Sequence, residues 1–247
     1  MKENLSTVQL RSSIFLQQNI GYTPENADRI KGLLNINEGK VYGIPQPGLP
    51  VLGVNPMMPQ YGMPWRIFIK KDDGREYNIA FQPGKIDIVL AKEESYNSNI
   101  ETAFCQQSVE WFSSILDTLN GLTVQRIAYA PLYAIPKGNA GANLWKNLLN
   151  KTFIDGVQAQ DINLQFLLKK LVSFGGMEIQ MNLLHQIFDG VQTRMVNDTQ
   201  TVCEVLLLQL DLNSVPEKVL SLDKAGITAF FSGILGVKNS LIDNVEA

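Results

Sequence analysis

Apolar side chains alternate with polar ones in three short runs of the first half: Trp65, Ile67 and Ile69; Tyr77, Ile79 and Phe81; Ile86, Ile88 and Leu90. A period of two puts each set on one face of a strand. The joins Asp72-Asp73-Gly74 and Gln82-Pro83-Gly84 are tight-turn sequences, so the three runs are predicted to pair as an antiparallel meander. Over residues 99–119 the spacing becomes helical. Ile100, Phe104, Trp111, Ile115 and Leu119 form one stripe, and Val109, Phe112 and Leu116 widen it, as in a helix that is largely covered. Gly121 is a candidate C-cap. Residues 124–135 return to strand character, with Pro131 marking a bulge or an edge.

The flanking segments extend this pattern. Residues 8–18 read as a first strand interrupted by Arg11, Ser12 and Ser13, and Thr23-Pro24-Glu25 starts a short helix that ends near Leu34. A glycine-containing connector, 137–143, leads to a short apolar helix with Leu144, Trp145, Leu148 and Leu149. Three more alternating runs follow: Ile162, Leu164, Phe166 and Leu168; Ile179, Met181, Leu183 and His185; Val202, Leu206, Leu208 and Leu210. Gly175-Gly176 is predicted to turn a hairpin between the first two, and Asn197-Asp198 to lie in the loop before the third. A closing helix over 222–242 carries Ala225, Ala229, Gly233 and Gly236 near one side, which lets the chain's own sheet approach closely. The expected fold class is α+β, with antiparallel sheets and helices packed on one face. It is expected as one domain of two similar halves, 1–136 and 137–247, each a three-stranded meander followed by a long helix.

Residues 39–64 break the pattern. Pro45, Pro47, Pro50, Pro56, Pro59 and Pro64, with five glycines, exclude regular helix and central strand. The segment is nevertheless apolar, and proline-stiffened backbone with adaptable methionines suits docking. Met57, Met58, Tyr61 and Met63 are therefore the candidate partner-binding residues. The competing expectation is that they fold back over a sheet edge of the same chain.

Composition narrows the function classes. In 247 residues the charged fraction is 18% and the formal charge is −3, so no basic field draws nucleic acid or anionic lipid. The first ten residues lack a signal-peptide core, and the densest apolar run, 202–212, is short of a membrane span and carries Glu204, Gln209 and Asp211. A cytoplasmic protein is expected. Cys105 and Cys203 lie in apolar stretches and are expected to be reduced and buried. With His185 the one histidine, they make no structural zinc site. His185 continues an apolar strand face, which favours a satisfied strand histidine over a Cys203–His185 nucleophilic pair. Asp72, Asp73, Glu93 and Glu94, Asp155 before Gly156 and Asp189 before Gly190 read as turn residues, and Lys70-Lys71 and Lys169-Lys170 as solvated strand ends. The 137–143 connector lacks a phosphate-loop ending. No catalytic residue, metal or cofactor is assigned.

The stretch from Trp65 through the helix to Val124-Gln125-Arg126-Ile127-Ala128-Tyr129 resembles an uncharacterised bacterial family of similar length and sporadic distribution. In that family an antiparallel meander and helix lead into a strand with an Arg-Ile-then-Tyr pattern. The likeness covers about residues 8–136, with a looser echo in the final helix, and departs at Pro131 and Leu132. It implies an α+β fold and a bacterial cytoplasmic setting and transfers no catalytic residue. The leading expectation is a non-enzymatic binding or assembly protein, acting through 39–64 on a protein partner or by self-association as a homo-oligomer. The alternative is a small-ligand binder or enzyme with a site between the halves near Arg126, Tyr129, Lys137 and Asn139.

Overall fold

A computed structural model describes residues 5–20, 23–34, 39–42, 65–119, 121–136, 163–196 and 199–246. In chain order its elements are β1 (Ser6–Leu16), α1 (Pro24–Leu34), β2 (Gly39–Tyr42), β3 (Trp65–Lys71), β4 (Glu76–Gln82), β5 (Lys85–Ser95), α2 (Ser98–Thr118), β6 (Val124–Tyr129), β7 (Leu132–Pro136), β8 (Asn163–Phe174), β9 (Met177–Val196), β10 (Thr199–Ser214) and α3 (Lys224–Glu246). The fold is α+β: the described residues form one antiparallel sheet and three helices. The predicted meander is β3–β4–β5, with Ile67 opposite Ile79 and Ile79 opposite Ile88.

The sheet runs β2-β3-β4-β5-β1-β6-β10-β9-β8, and β7 also pairs with β1 and β10. β1 is therefore threaded between β5 and the β6/β7 pair, and β10 closes on the far side of that pair. Pro131 sits within this central rail rather than at an edge. Ala130 exchanges backbone hydrogen bonds with Arg11, while the Pro131 carbonyl accepts from the Leu210 amide. Proline's missing N–H breaks the rail into two strands without opening the sheet.

One face of the sheet carries the core. Leu10, Ile14, Ile79, Ile88, Ile127 and Leu210 are buried together with Phe104, Phe112 and Ile115 of α2 and Phe230, Phe231 and Ile234 of α3. The two helices meet through Phe112 and Phe231, whose rings stack at 5.9 Å. Ser12 and Ser13, which interrupt β1 in the sequence, are both buried and point to opposite faces. Ser12 donates to Ser108 of α2 at 2.7 Å, and Ser13 donates to Asp87, which also accepts from Lys85 at 2.8 Å.

Several expectations need correcting. Residues 39–42 form an edge strand, while the rest of the 39–64 segment lies outside the described residues, as do the 137–143 connector, the helix expected beyond it and Asn197-Asp198. Asp189 and Gly190 lie inside β9, not in a turn. A Cβ on Gly190 would sit 2.5 Å from Leu207 Cδ1, so the glycine there admits a neighbouring side chain. Lys169 and Lys170 stand in the middle of β8. Cys105 is buried as expected, but Cys203 is partly exposed; both are free thiols. The Gly175-Gly176 turn does form, with φ of +58° and +88°, a backbone that suits glycine. Gly233 of α3 is pressed against Phe174, which a Cβ would approach to 2.8 Å, so part of the small-residue stripe serves contact with the chain's own sheet.

Residues Lys224–Asp243 of α3 are long and apolar enough to cross a membrane by length and composition, with mean hydropathy 1.3, which the sequence reading of 202–212 as the densest run did not anticipate. Ile227, Phe230, Phe231, Ile234, Leu241 and Ile242 of that helix are buried in the core.

Candidate functional site

β8 stands at the end of the sheet and pairs only with β9 among the described residues. Its register places Phe166 opposite His185 and Leu168 opposite Leu183, on the face that also carries Phe174. Leu167 lies opposite Leu184 and Leu171 opposite Gln180, on the other face. Leu167, Leu168 and Leu171 are 54–56% exposed and Phe166 is 39% exposed. Only Phe174, packed on Phe230 with ring centroids 5.0 Å apart, is fully buried. Edge strands are ordinarily blunted by charge, proline or a bulge, because their unpaired amides and carbonyls template pairing with another chain. β8 has no proline, pairs with β9 without a register break, and carries just two charges, Lys169 and Lys170.

Beneath the helices lies a polar network that the sequence reading missed. Glu101, in the first turn of α2, is 1% exposed, and Lys238 of α3 is fully buried. The Lys238 ammonium donates to Glu101 Oε2 and, at 2.9 Å, to the Tyr96 hydroxyl. Tyr133 and, at 3.4 Å, Tyr129 donate to Glu101 Oε1. Burial holds the Tyr129 and Tyr133 phenols well above the usual tyrosine range, reinforced by the negative charge of Glu101. The same two causes push the Cys105 thiol up, so it stays protonated and a poor nucleophile. The arrangement satisfies a buried charge pair and ties α2 to α3 and to the central rail. The signal was present: each of the two is the charged residue on its helix's buried stripe, Glu101 with Phe104, Cys105 and Ser108, and Lys238 with Ile234, Leu241 and Ile242.

The sequence-predicted ligand residues are not brought together. Arg126 lies on the sheet face opposite to that of Ile127 and Tyr129, its guanidinium 4.5 Å above the Phe15 ring and donating to Asn213 Oδ1 and the Ser214 carbonyl, both at 3.3 Å. Tyr129 points to the helix side and is engaged by Glu101. Lys137 and Asn139, like Met57, Met58, Tyr61 and Met63, lie outside the described residues. Cys203 is opposite Gln192 and His185 opposite Leu210, which puts about 20 Å of strand between them and separates that candidate pair. His185 is buried, and its Nε2 has no hydrogen-bond partner among the described residues; burial lowers its pKa below the usual imidazole range.

A cleft of about 590 Å³ opens between α2 and α3. It is lined by Thr102, Cys105, Gln106, Val109 and Glu110 on one side and Thr228, Phe231, Ser232 and Leu235 on the other. Its polar groups are rim hydroxyls, an amide and one carboxylate, and the buried Cys105 thiol lies at its floor. No cluster of three or more histidine, cysteine or carboxylate side chains that would hold a metal occurs among the described residues. No protein-family profile matches this chain, and no curated protein matches its sequence.

Proposed function

We propose that the protein is a non-enzymatic binding or assembly module that takes an extended partner segment onto β8 by strand addition. The observation that carries this reading is the apolar exposure of one edge strand on both of its faces. A helix or loop laid on one face would leave Leu167 and Leu171, or Phe166 and Leu168, in water. A strand added in the plane of the sheet covers both sets laterally and satisfies the open ladder as well. Main-chain hydrogen bonds would then supply affinity, and the alternating side chains selectivity.

The same reading treats the molecule as two similar halves with their helices over one face. Each three-stranded meander, β3–β5 and β8–β10, is followed by a long helix, α2 and α3, and these two helices pack on each other. A cytoplasmic setting, as expected from the sequence, fits such a role. A small-ligand site is the second reading, and the size of the α2–α3 cleft is what favours it.

A fluorescently labelled peptide with the sequence of residues 163–174 tests strand addition directly. At sub-micromolar protein it is expected to bind saturably and to slow amide hydrogen exchange within β8. The same peptide N-methylated at alternate residues is expected not to bind. Binding without slowed exchange in β8, or equal binding of the methylated peptide, would refute the reading.

A further inference from the structure

We infer that the sheet face opposite to that of Ile127 and Tyr129 binds a small carboxylate ligand, with Arg11 holding the carboxylate and Asn78 a donor group at the ligand's other end. The inference goes beyond strand addition and uses no residue of β8. Arg11 of β1 lies opposite Val89 of β5, and Val89 lies opposite Asn78 of β4. Residues directly opposite each other share a face, so the three form one row across the sheet. Two strand spacings put the Arg11 and Asn78 Cα atoms about 10 Å apart. On its other side Arg11 exchanges backbone hydrogen bonds with Ala130, which alternates onto the face of Arg126 and Ala128.

Both ends of the row are unsatisfied. Arg11 Nε and Asn78 Oδ1 are shut off from solvent and have no hydrogen-bond partner among the described residues, and the Arg11 guanidinium makes no ion pair among them. Asp87, the carboxylate diagonal to Arg11, is already taken: Oδ1 accepts from Ser13 and, at 2.8 Å, from Lys85, and Oδ2 accepts from Gln82 at 3.2 Å. Ala130 has no side chain beyond Cβ to compete for the guanidinium. A covered charged donor without an acceptor is costly, and a planar guanidinium fork takes a carboxylate on two nitrogens at once. One unpaired guanidinium balances one negative charge, which favours a carboxylate over a phosphate dianion. Asn78 Oδ1 calls for an N–H or O–H, and Val89 between them for an apolar span. The ligand class is therefore a short aliphatic acid with a hydrogen-bond donor at its far end.

The test titrates the full chain with ε-aminocaproate as the probe, and with hexylamine and caproate, which each lack one end of it. The readout is the Arg11 Nε–H signal in heteronuclear NMR spectra, assigned by its loss in Arg11→Met. ε-Aminocaproate is expected to shift that signal saturably. Hexylamine, without the carboxylate, should bind at least about 10-fold more weakly, since hydrogen bonds to charged groups are the stronger kind. Caproate, without the donor, should bind a few-fold more weakly. Arg11→Met keeps the stem of the side chain and should abolish binding. In the absence of ligand the same variant should raise the urea unfolding midpoint, because it removes a guanidinium that nothing pairs.

An Arg11 signal that stays unmoved in tens of millimolar ε-aminocaproate overturns the site. Binding that survives Arg11→Met, or that is equal for hexylamine, overturns the place given to the carboxylate. A urea midpoint that falls in Arg11→Met shows that the guanidinium is already paired within the folded chain, and overturns the inference without touching strand addition at β8.

Discussion

Removing the Lys238 ammonium should be among the most damaging single changes available in this protein. Lys238→Met keeps the length and apolar stem of the side chain but leaves the Glu101 carboxylate, 1% exposed, without its counter-charge. Breaking a buried pair by deleting one partner costs about 3–5 kcal/mol. Tyr129 and Tyr133 still donate to Glu101 and keep the loss from going higher. With a urea m-value of about 2.5 kcal/mol/M, a loss of 4 kcal/mol or so lowers the unfolding midpoint by about 1.5 M.

Glu101→Gln strands the ammonium instead, with the Tyr96 hydroxyl and the new amide oxygen as its remaining acceptors, and should cost about 2–4 kcal/mol. The double variant removes both charges while the amide oxygen still accepts from the tyrosines, so its cost should fall to about 1–2 kcal/mol. The cycle would then show a coupling of at least about 2 kcal/mol between residues far apart in sequence. Urea unfolding followed by tryptophan fluorescence and circular dichroism, at one fixed protein concentration, reads all four proteins. Additive single effects, each under about 1 kcal/mol, would show that the pair is solvated and that the network does not hold α2 to α3.

Three other outcomes are expected. Gly190→Ala should lower stability by about 1–3 kcal/mol in a thermal melt, because the new Cβ would lie 2.5 Å from Leu207 Cδ1, and Leu207→Ala in the same chain should recover part of that loss. The burial of His185 holds its folded pKa below the unfolded value, so the unfolded chain takes up a proton first. Stability should therefore fall as pH drops through and below about 6.5, and His185→Gln should flatten that part of the stability–pH curve. In native protein a maleimide reagent at pH 7.5 should label the partly exposed Cys203 and spare Cys105, whose thiol is buried and held protonated; labelling at equal rates would contradict that placement.

What the sequence makes legible is what is local. The β3–β5 meander, α2 and the Gly175-Gly176 turn each carry their own periodicity or turn chemistry within about twenty residues, and the structure has all three. Strand order is not local: nothing in β1 itself announces that it lies between β5 and β6, because that placement depends on pairings far along the chain. Asp189-Gly190 misled because glycine marks both turns and close packing, and only the position of Leu207 tells which. Glu101 and Lys238 were visible as charges on apolar stripes, but pairing them required knowing that α2 and α3 touch. β8 keeps strict alternation only through Phe166; Leu167 and Leu171 break the period and put apolar side chains on the second face as well, but only the burial pattern shows that both faces are open. Met57, Met58, Tyr61 and Met63 lie outside the described residues, and the open apolar edge of β8 shows only in its burial.

The threading of the sheet also sets an order for its completion. β10 is the last of the described strands in chain order, yet it fills the slot beside β6 and β7 at the middle. While the protein is being synthesised, the β6/β7 rail must wait with its far side uncovered until residues 205–213 emerge from the ribosome. During that interval Ala134 and Ile135, buried in the finished sheet, line an open inner edge. Chains cut short of β10 would keep that edge permanently open, so nascent and truncated forms should be the ones that need chaperones and aggregate.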